Sequence, residues 1–333
     1  MSNPVQRVFP LGFPWETQDP FLFCVYHLDH YPKGNNAMEP AVSLEGRNLG
    51  NDFIIKDGWR MYHGQTIPGF PYHPHRGFET VTIVNKGFCD HSDSLGAAGR
   101  FGQGDVQWMT AGRGVQHSEM FPLLNTDKDN PLELFQIWIN LPKADKFVDP
   151  HFKMLWHEDI PIVKDNNTTI KVIAGSYNNT HAPDSTPNSW AANPDNEVAI
   201  WNIHMDENET FHLPPASAEL NRTLYYYEGS EVKIGEMVVK PDHGVQLSSD
   251  EEVVLINGDQ KSHFLLLQGK PINEPVAKYG PFVMNTQQEI QKAMEEYRLT
   301  QFGGWPWPHA DNVHPREKGR FAKYPDGKVV VKD

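Results

Sequence analysis

Short runs rich in β-branched and aromatic residues, each closed by turn residues, recur along this chain of 333 residues and most constrain its fold. Glycine and proline, which are typical of turns, occur 26 and 27 times and separate these runs. In the run LELFQIWINL, alternate residues divide into an apolar face and a more polar one, which is typical of a strand in the wall of a sandwich or barrel. Strands do not alternate with helices, so the pattern predicts an all-β fold. The predicted strands are residues 79–84, 105–110, 133–141, 169–175, 197–205, 223–229 and 253–258.

One helix is predicted late in the chain, within NTQQEIQKAMEEYRLTQFGG. Thr286 followed by Glu289 is a capping box, which marks the start of a helix. The apolar residues that follow have helical spacing. Gly303 or Gly304 is expected to end the helix.

The two halves of the chain resemble each other loosely, because each contains a strand that ends in a glycine turn and is followed by further short strands. This similarity favours two tandem β-barrels. We predict an N-terminal barrel over residues 1–155 and a C-terminal barrel over residues 156–333 that also carries the helix and a tail. The polar segments 32–52 and 176–197 are predicted to be long loops.

Charge and cysteine content narrow the function classes. The formal net charge of −14 argues against nucleic-acid binding through a basic surface. Two cysteines, Cys24 and Cys89, do not make a disulfide framework, so a reducing compartment is expected. The N-terminus has no apolar segment typical of a signal peptide, and no stretch approaches the roughly 20 apolar residues of a membrane helix. We therefore expect a cytoplasmic protein with no membrane association.

Two histidines one residue apart, His73 and His75, are the first candidate site. Residues i and i+2 of an extended chain point to the same side, so both imidazoles can reach one point. Alone, the pair is better explained as two ordinary histidines at the surface or in a turn. About 40 residues later His117 and Glu119 repeat the spacing beside glycines. On neighbouring strands of a barrel, the two pairs would bring three imidazoles and one carboxylate together.

Such a set of nitrogen and oxygen ligands suits a divalent first-row metal, and Fe, Mn, Co, Ni, Cu and Zn all fit. Four ligands leave coordination positions open for a substrate or dioxygen. A closed structural zinc site more often uses thiolates, and neither cysteine has a ligand spacing to these motifs.

The stretches HPHRGFETVTIVNKG and GDVQWMTAGRGVQHSEM resemble the two metal motifs of the cupin superfamily, and specifically those of the pirin family. DPFLF near the N-terminus, and YGPFVMNTQQEIQKAMEEYR and RFAKYPDGK near the C-terminus, are also similar to pirins. The resemblance is strong at both ends and in the first barrel and weak in the second. It implies two tandem cupin barrels of the jelly-roll kind.

The resemblance also implies one metal, with Fe(II) as the expected ion, held in the first barrel by His73, His75, His117 and Glu119. Glu79 lies where other cupins place their carboxylate ligand. Here we expect it to be a hydrogen-bond partner of the site or a charge at the edge of the core.

The second barrel is predicted to hold no metal. Matching Gly229 to Gly87 puts Pro215, Ser217 and Asn221 where the first barrel has its motif, and none is a good transition-metal ligand. The chain departs from ordinary pirins in its longer segments 31–68 and 176–197. The first is expected to reshape the mouth of the metal pocket.

Pirins are similar to quercetin 2,3-dioxygenases, and this implies an enzyme that opens a flavonol-like substrate with O2. Glu119 or Glu79 would then accept the proton of the substrate hydroxyl. Three apolar residues are expected either to line the substrate pocket or to belong to the barrel core: Phe78, Trp108 and Met109.

Two alternatives remain open on the sequence. One is an iron-dependent redox-sensing regulator that binds a protein partner without turnover, and no feature of the chain specifies that partner. The other is a metal-binding barrel that acts on a different small phenolic or enol substrate.

Overall fold

The structure, a computed structural model, describes residues 3–332, and β-strands dominate it. All seven predicted strands are confirmed, with ends that shift by a few residues. The strands are β1 Val5–Pro10, β2 Phe21–Tyr31, β3 Gly69–His75, β4 Phe78–Lys86, β5 Phe88–Asp93, β6 Ala98–Gly102, β7 Val106–Thr110, β8 Val115–Met120, β9 Asn130–Asn140, β10 His151–Leu155, β11 Ile162–Asp165, β12 Thr168–Ala174, β13 Ser176–Tyr177, β14 Thr180–His181, β15 Ala199–Met205, β16 Thr210–Leu213, β17 Asn221–Glu228, β18 Val232–Ile234, β19 Met237–Val239, β20 His243–Leu247, β21 Val253–Asn257, β22 Ser262–Gly269, β23 Ala277–Tyr279, β24 Phe282–Met284, β25 Arg320–Lys323 and β26 Val329–Lys332. The one α-helix among the described residues is α1, Gln287–Thr300, and short 3₁₀ turns cover Lys143–Asp145, Trp190–Ala192, Pro194–Asn196, Gln301–Gly303 and Arg316–Lys318.

The chain divides into two compact units that are discontinuous in sequence. Unit 1 contains residues 1–25, 137–142 and 155–273, and unit 2 contains residues 26–136, 143–154 and 274–333. The helix and the C-terminal tail therefore belong to the same unit as the histidine motifs. The single domain boundary at 155/156 remains a prediction.

Unit 1 is built on a seven-stranded antiparallel sheet in the order β1-β20-β17-β22-β15-β12-β11 and a four-stranded sheet in the order β16-β21-β18-β19. Apolar side chains from both sheets form one buried cluster, which includes Trp201 and Phe264 from the larger sheet and Phe211 and Leu255 from the smaller. This is the two-layer packing that the alternating sequence pattern requires.

Unit 2 contains a six-stranded sheet in the order β26-β25-β6-β5-β8-β3 and most of a five-stranded sheet in the order β10-β7-β4-β9-β2. Most residues of β4 to β8 are buried, including many polar ones. Buried polar side chains need partners or a function, so this unit is where a site is expected.

Helix α1 begins as predicted. Thr286 accepts from the Glu289 backbone N–H, and the Glu289 side chain accepts from the backbone of Thr286, which completes the capping box. The helix buries Ile290 and Ala293 against Phe282 of β24. Its C-terminal cap is Gln301 in the left-handed conformation, one turn before the predicted glycines.

Within residues 3–332, no helix has the length and apolar character needed to cross a membrane.

Candidate metal centre

The two i/i+2 pairs lie on adjacent antiparallel strands of the six-stranded sheet. His73 and His75 are on β3, His117 and Glu119 are on β8, and His73 is directly opposite His117. A register shift between Phe70 and His73 locally distorts β3. Side chains of neighbouring strands that share one face can meet, which brings the histidines of the two pairs together.

Gly77 lies in the turn that joins β3 to β4. Its φ is +84°, and a Cβ at this position would lie 2.0 Å from the Val283 carbonyl oxygen. Both the backbone conformation and the close approach require glycine.

The three imidazoles converge on a single point. His73 Nε2 lies 3.1 Å from His75 Nε2 and 3.1 Å from His117 Nε2. His73 Nδ1 lies 2.9 Å from the Pro71 carbonyl oxygen, to which it donates when it carries the ring proton. That tautomer leaves the lone pair of Nε2 free for a ligand.

The imidazoles are held in the neutral state that metal binding needs. Burial lowers the pKa of His73 to about 4. Burial and the neighbouring imidazoles lower the pKa values of His75 and His117 well below the usual range. Neutral imidazole is the metal-binding form, so little competition from protons is expected near pH 7.

Glu119 lies at the edge of this cluster. Its Oε2 is 3.7 Å from His117 Nε2 and accepts a hydrogen bond of 2.6 Å from Gln136, while Oε1 accepts one of 2.9 Å from Thr82. Burial raises the pKa of the carboxyl group, and the bonds from Thr82 and Gln136 oppose that rise. The ligand atoms of the three histidines lie within 4.8 Å of one another, and Glu119 is not part of that set.

Glu79 is placed differently from Glu119. Its Oε1 accepts from Trp108 Nε1 at 3.2 Å and from Thr110 Oγ1 at 2.8 Å. The regular pairing of β4 with β7 puts Glu79 and Thr82 on opposite faces of β4, and Thr82 is the residue that contacts Glu119. The role of Glu79 in accepting a proton from the substrate therefore stays a prediction. Its position on the opposite face of β4 from Thr82 does not favour that role.

The three apolar residues named from the sequence lie in different surroundings. The Phe78 ring lies beside His75, with centroids 5.0 Å apart. Met109 belongs to a small buried cluster with Ala111 and Val115. Trp108 is fully buried and bonded to Glu79 on the other face. Of the three, the structure brings Phe78 against a candidate ligand.

Sequence reasoning missed several polar residues around the histidines. Thr82 and Gln136 come from two strands of the other sheet and orient Glu119. Gln107 lies opposite Thr82 and is fully buried, and neither atom of its amide has a hydrogen-bond partner among the described residues. The available signal was the pair of polar residues at alternate positions of β4, Thr80 and Thr82. Which strands meet could not be read from that spacing.

The cluster lies nearest the protein surface at His73, which is only partly buried, whereas His75 and His117 are buried. The Phe70 ring lies beside His73 with centroids 6.3 Å apart, and it also contacts Phe53 and Tyr62 of the 31–68 segment. The long segment thus contributes aromatic residues near His73.

The geometry fits a bound transition metal. Adjacent nitrogen ligands about 2.1 Å from one ion are about 3.0 Å apart in octahedral coordination, close to the Nε2 separations in this cluster. Three neutral buried nitrogens, one of them with its tautomer set by a carbonyl, are an expected donor set for such an ion. The arrangement does not distinguish iron from the other first-row metals.

Comparison with known proteins matches both halves of the chain to one family. Residues 34–139 match the family model Pirin, and residues 200–303 match the model described as the Pirin C-terminal cupin domain. Human pirin is 35% identical over 265 residues, which cover 78% of this chain and 85% of pirin. Pirin-like protein 2 of Arabidopsis thaliana is 37% identical over 279 residues, which cover 79% of each chain.

A solved structure is also similar. The crystal structure of a quercetin 2,3-dioxygenase from Acinetobacter baumannii superposes with a TM-score of 0.69 at 26% identity, covering 91% of this chain and 96% of that one. The expected architecture of two cupin domains and a C-terminal helix is thereby confirmed.

Proposed function

Because this chain belongs to the pirin family of two-domain cupins, we propose that it is a metal-dependent dioxygenase of the quercetin 2,3-dioxygenase type. The observation that carries the proposal is the convergence of His73, His75 and His117, of which His73 is partly exposed. The similarity to a solved quercetin 2,3-dioxygenase supports the reaction class. Substrates would be flavonols or related small phenols and enols, with O2 as the second substrate.

In this proposal the three histidines hold one divalent metal, with Fe(II) as the expected ion, and Glu119 completes the set. The bound metal supplies Lewis-acid activation of an enol or phenol hydroxyl and, when redox-active, access to dioxygen. Glu119 Oε2 is 3.7 Å from His117 Nε2, which places this carboxylate beside the histidine cluster.

Glu119 is also the residue best placed to hold a proton. Its Oε2 lies 3.7 Å from His117 Nε2, so the carboxylate is beside the cluster where a substrate hydroxyl would bind. Thr82 and Gln136 fix the two oxygens, so a proton taken from a substrate hydroxyl has a defined destination. Loss of that proton gives the electron-rich enolate form that reacts with an oxidant.

Residues around the cluster can position an aromatic substrate. Phe70 and Phe78 lie beside the rings of His73 and His75, so a planar substrate at the cluster would meet aromatic side chains. The unpartnered amide of Gln107 offers both a donor and an acceptor to a polyhydroxylated ring.

Oxygen consumption with quercetin tests the proposal. Protein reconstituted with Fe(II) is expected to consume O2 and to release carbon monoxide, and His75→Ala is expected to lose at least about 100-fold in rate because it removes a ligand. His212→Ala, at an exposed position of unit 1, is the matched control and should keep wild-type activity. Metal content is assayed for every sample.

A wild-type protein with a full complement of iron and no oxygen uptake would refute the quercetin reaction while leaving the metal site standing. The alternative of a regulator without turnover is not favoured, because the similar solved structure is that of a quercetin 2,3-dioxygenase.

A further inference from the structure

The three candidate ligands differ in what holds the ring nitrogen that faces away from the cluster. His73 Nδ1 has the Pro71 carbonyl at 2.9 Å. The Pro281 carbonyl interacts with His75 as a hydrogen-bond acceptor. His117 Nδ1 is buried and has no hydrogen-bond partner among the described residues. A metal on Nε2 of His117 would leave the proton on Nδ1, which then needs an acceptor.

A fourth buried histidine lies next to His117. His91 is on β5, which pairs with β8, and its ring centroid is 5.5 Å from that of His117, with the planes at 60°. His91 is fully buried, and its own Nδ1 also has no hydrogen-bond partner among residues 3–332. Two imidazoles joined by an N–H···N bond of about 2.9 Å have centroids about 5.2 Å apart, close to the 5.5 Å that separates these two rings.

The tautomer of His91 follows from its other nitrogen. His91 Nε2 is 3.1 Å from Asp93 Oδ2. The second oxygen of Asp93 accepts from the backbone N–H groups of Leu95 and Ala97, both at 2.9 Å. A carboxylate oxygen accepts, so a neutral His91 that bonds Asp93 donates from Nε2 and keeps a lone pair on Nδ1. The lone pair of His91 Nδ1 is therefore available to accept from the Nδ1–H of His117.

We propose that His91 is a positioning residue that accepts a hydrogen bond from His117 Nδ1 and, together with Asp93, holds His117 in the tautomer that binds metal through Nε2. This inference rests on the proposed metal site and adds to it a relay of Asp93, His91 and His117. The His91 ring is stacked on Phe152, with centroids 5.0 Å apart and planes 14° apart, so its own plane is fixed by packing. Because the plane of the His91 ring is fixed, a hydrogen bond to its Nδ1 also sets the orientation of the His117 ring.

Zinc, which is diamagnetic, allows the bond to be seen directly by NMR. In zinc-loaded protein labelled with ¹⁵N-histidine, we expect the Nδ1–H proton of His117 to be slowly exchanging and shifted downfield. His91→Phe keeps a ring against Phe152 but removes the acceptor. It should abolish the slow exchange and weaken zinc binding by about 10- to 100-fold in chelator competition.

Two further variants separate positioning from packing. His91→Asn places a carbonyl oxygen near the position of Nδ1 and should restore most of the zinc affinity. Phe152→Leu keeps an apolar side chain against the His91 ring and should leave the slowly exchanging proton in place. Circular dichroism establishes that each variant is folded.

The outcomes distinguish this inference from the function it rests on. Wild-type protein that binds no zinc through His117 would overturn both the metal site and the relay. Wild-type zinc binding with His91→Phe unchanged in affinity and proton exchange would overturn the relay alone. A zinc-shifted ¹⁵N resonance on His91 would overturn it as well, because His91 would then be a ligand.

Discussion

Replacing His117 by alanine is expected to abolish stoichiometric metal binding. His117 Nε2 is one of three nitrogens that share a site, 3.1 Å from that of His73, and no other described imidazole points at the same space. Losing only a residue that supports a ligand costs about 10- to 100-fold in metal affinity. Removal of the ligand itself should therefore exceed about 100-fold.

Metal analysis after dialysis against a weak chelator measures this effect. His212→Ala is again the control, because His212 is an exposed residue paired with Glu252 in unit 1. A His117→Ala protein that keeps a full complement of metal at an unchanged affinity would show that the ion binds somewhere other than the histidine cluster.

Replacing Asp90 by asparagine is expected to destabilise the fold by about 3–5 kcal/mol, because it leaves a buried arginine without its counter-charge. Arg100 and Asp90 are fully buried and joined by two hydrogen bonds of 2.7 Å between neighbouring strands β5 and β6. Arg100 also donates to the carbonyl oxygens of His314 and Pro315, at 2.8 and 3.0 Å. The pair thus attaches the C-terminal tail to the sheet that carries the candidate ligands.

Urea denaturation monitored by tryptophan fluorescence gives the free energy of unfolding. Asp149→Asn is the matched control, because its partner Arg113 and Asp149 are both largely exposed, and it should change that free energy by well under 1 kcal/mol. Equal effects of the two substitutions would contradict the role assigned to the buried pair.

The sequence predicts the strands and the helix of this protein well, because their signals are local. The alternation in β9 and the capping box formed by Thr286 and Glu289 each need only a few neighbouring residues. The i/i+2 spacing of His73 with His75 is equally local, and strand geometry alone puts both rings on one side of β3.

The surroundings of the cluster could not be predicted in the same way. Glu119 is oriented by Thr82 and Gln136, which are 37 and 17 positions away in sequence and come from two strands of another sheet. His91 reaches His117 only through the pairing of β5 with β8, which no spacing rule reveals. Likewise, Arg100 donates to a carbonyl oxygen of the tail that lies more than 200 positions later in the sequence. Such contacts depend on which strands become neighbours, and the hydrophobic pattern leaves that undetermined.

The measurement that tests the central claim most directly is an anomalous-difference map from crystals grown with Fe(II) and excluded from air, with data collected at the iron edge. We expect one peak per chain, within about 2.0–2.2 Å of the Nε2 atoms of His73, His75 and His117. A peak at any other group of residues, or the absence of a peak at this cluster while the crystals contain stoichiometric iron, would contradict the assignment.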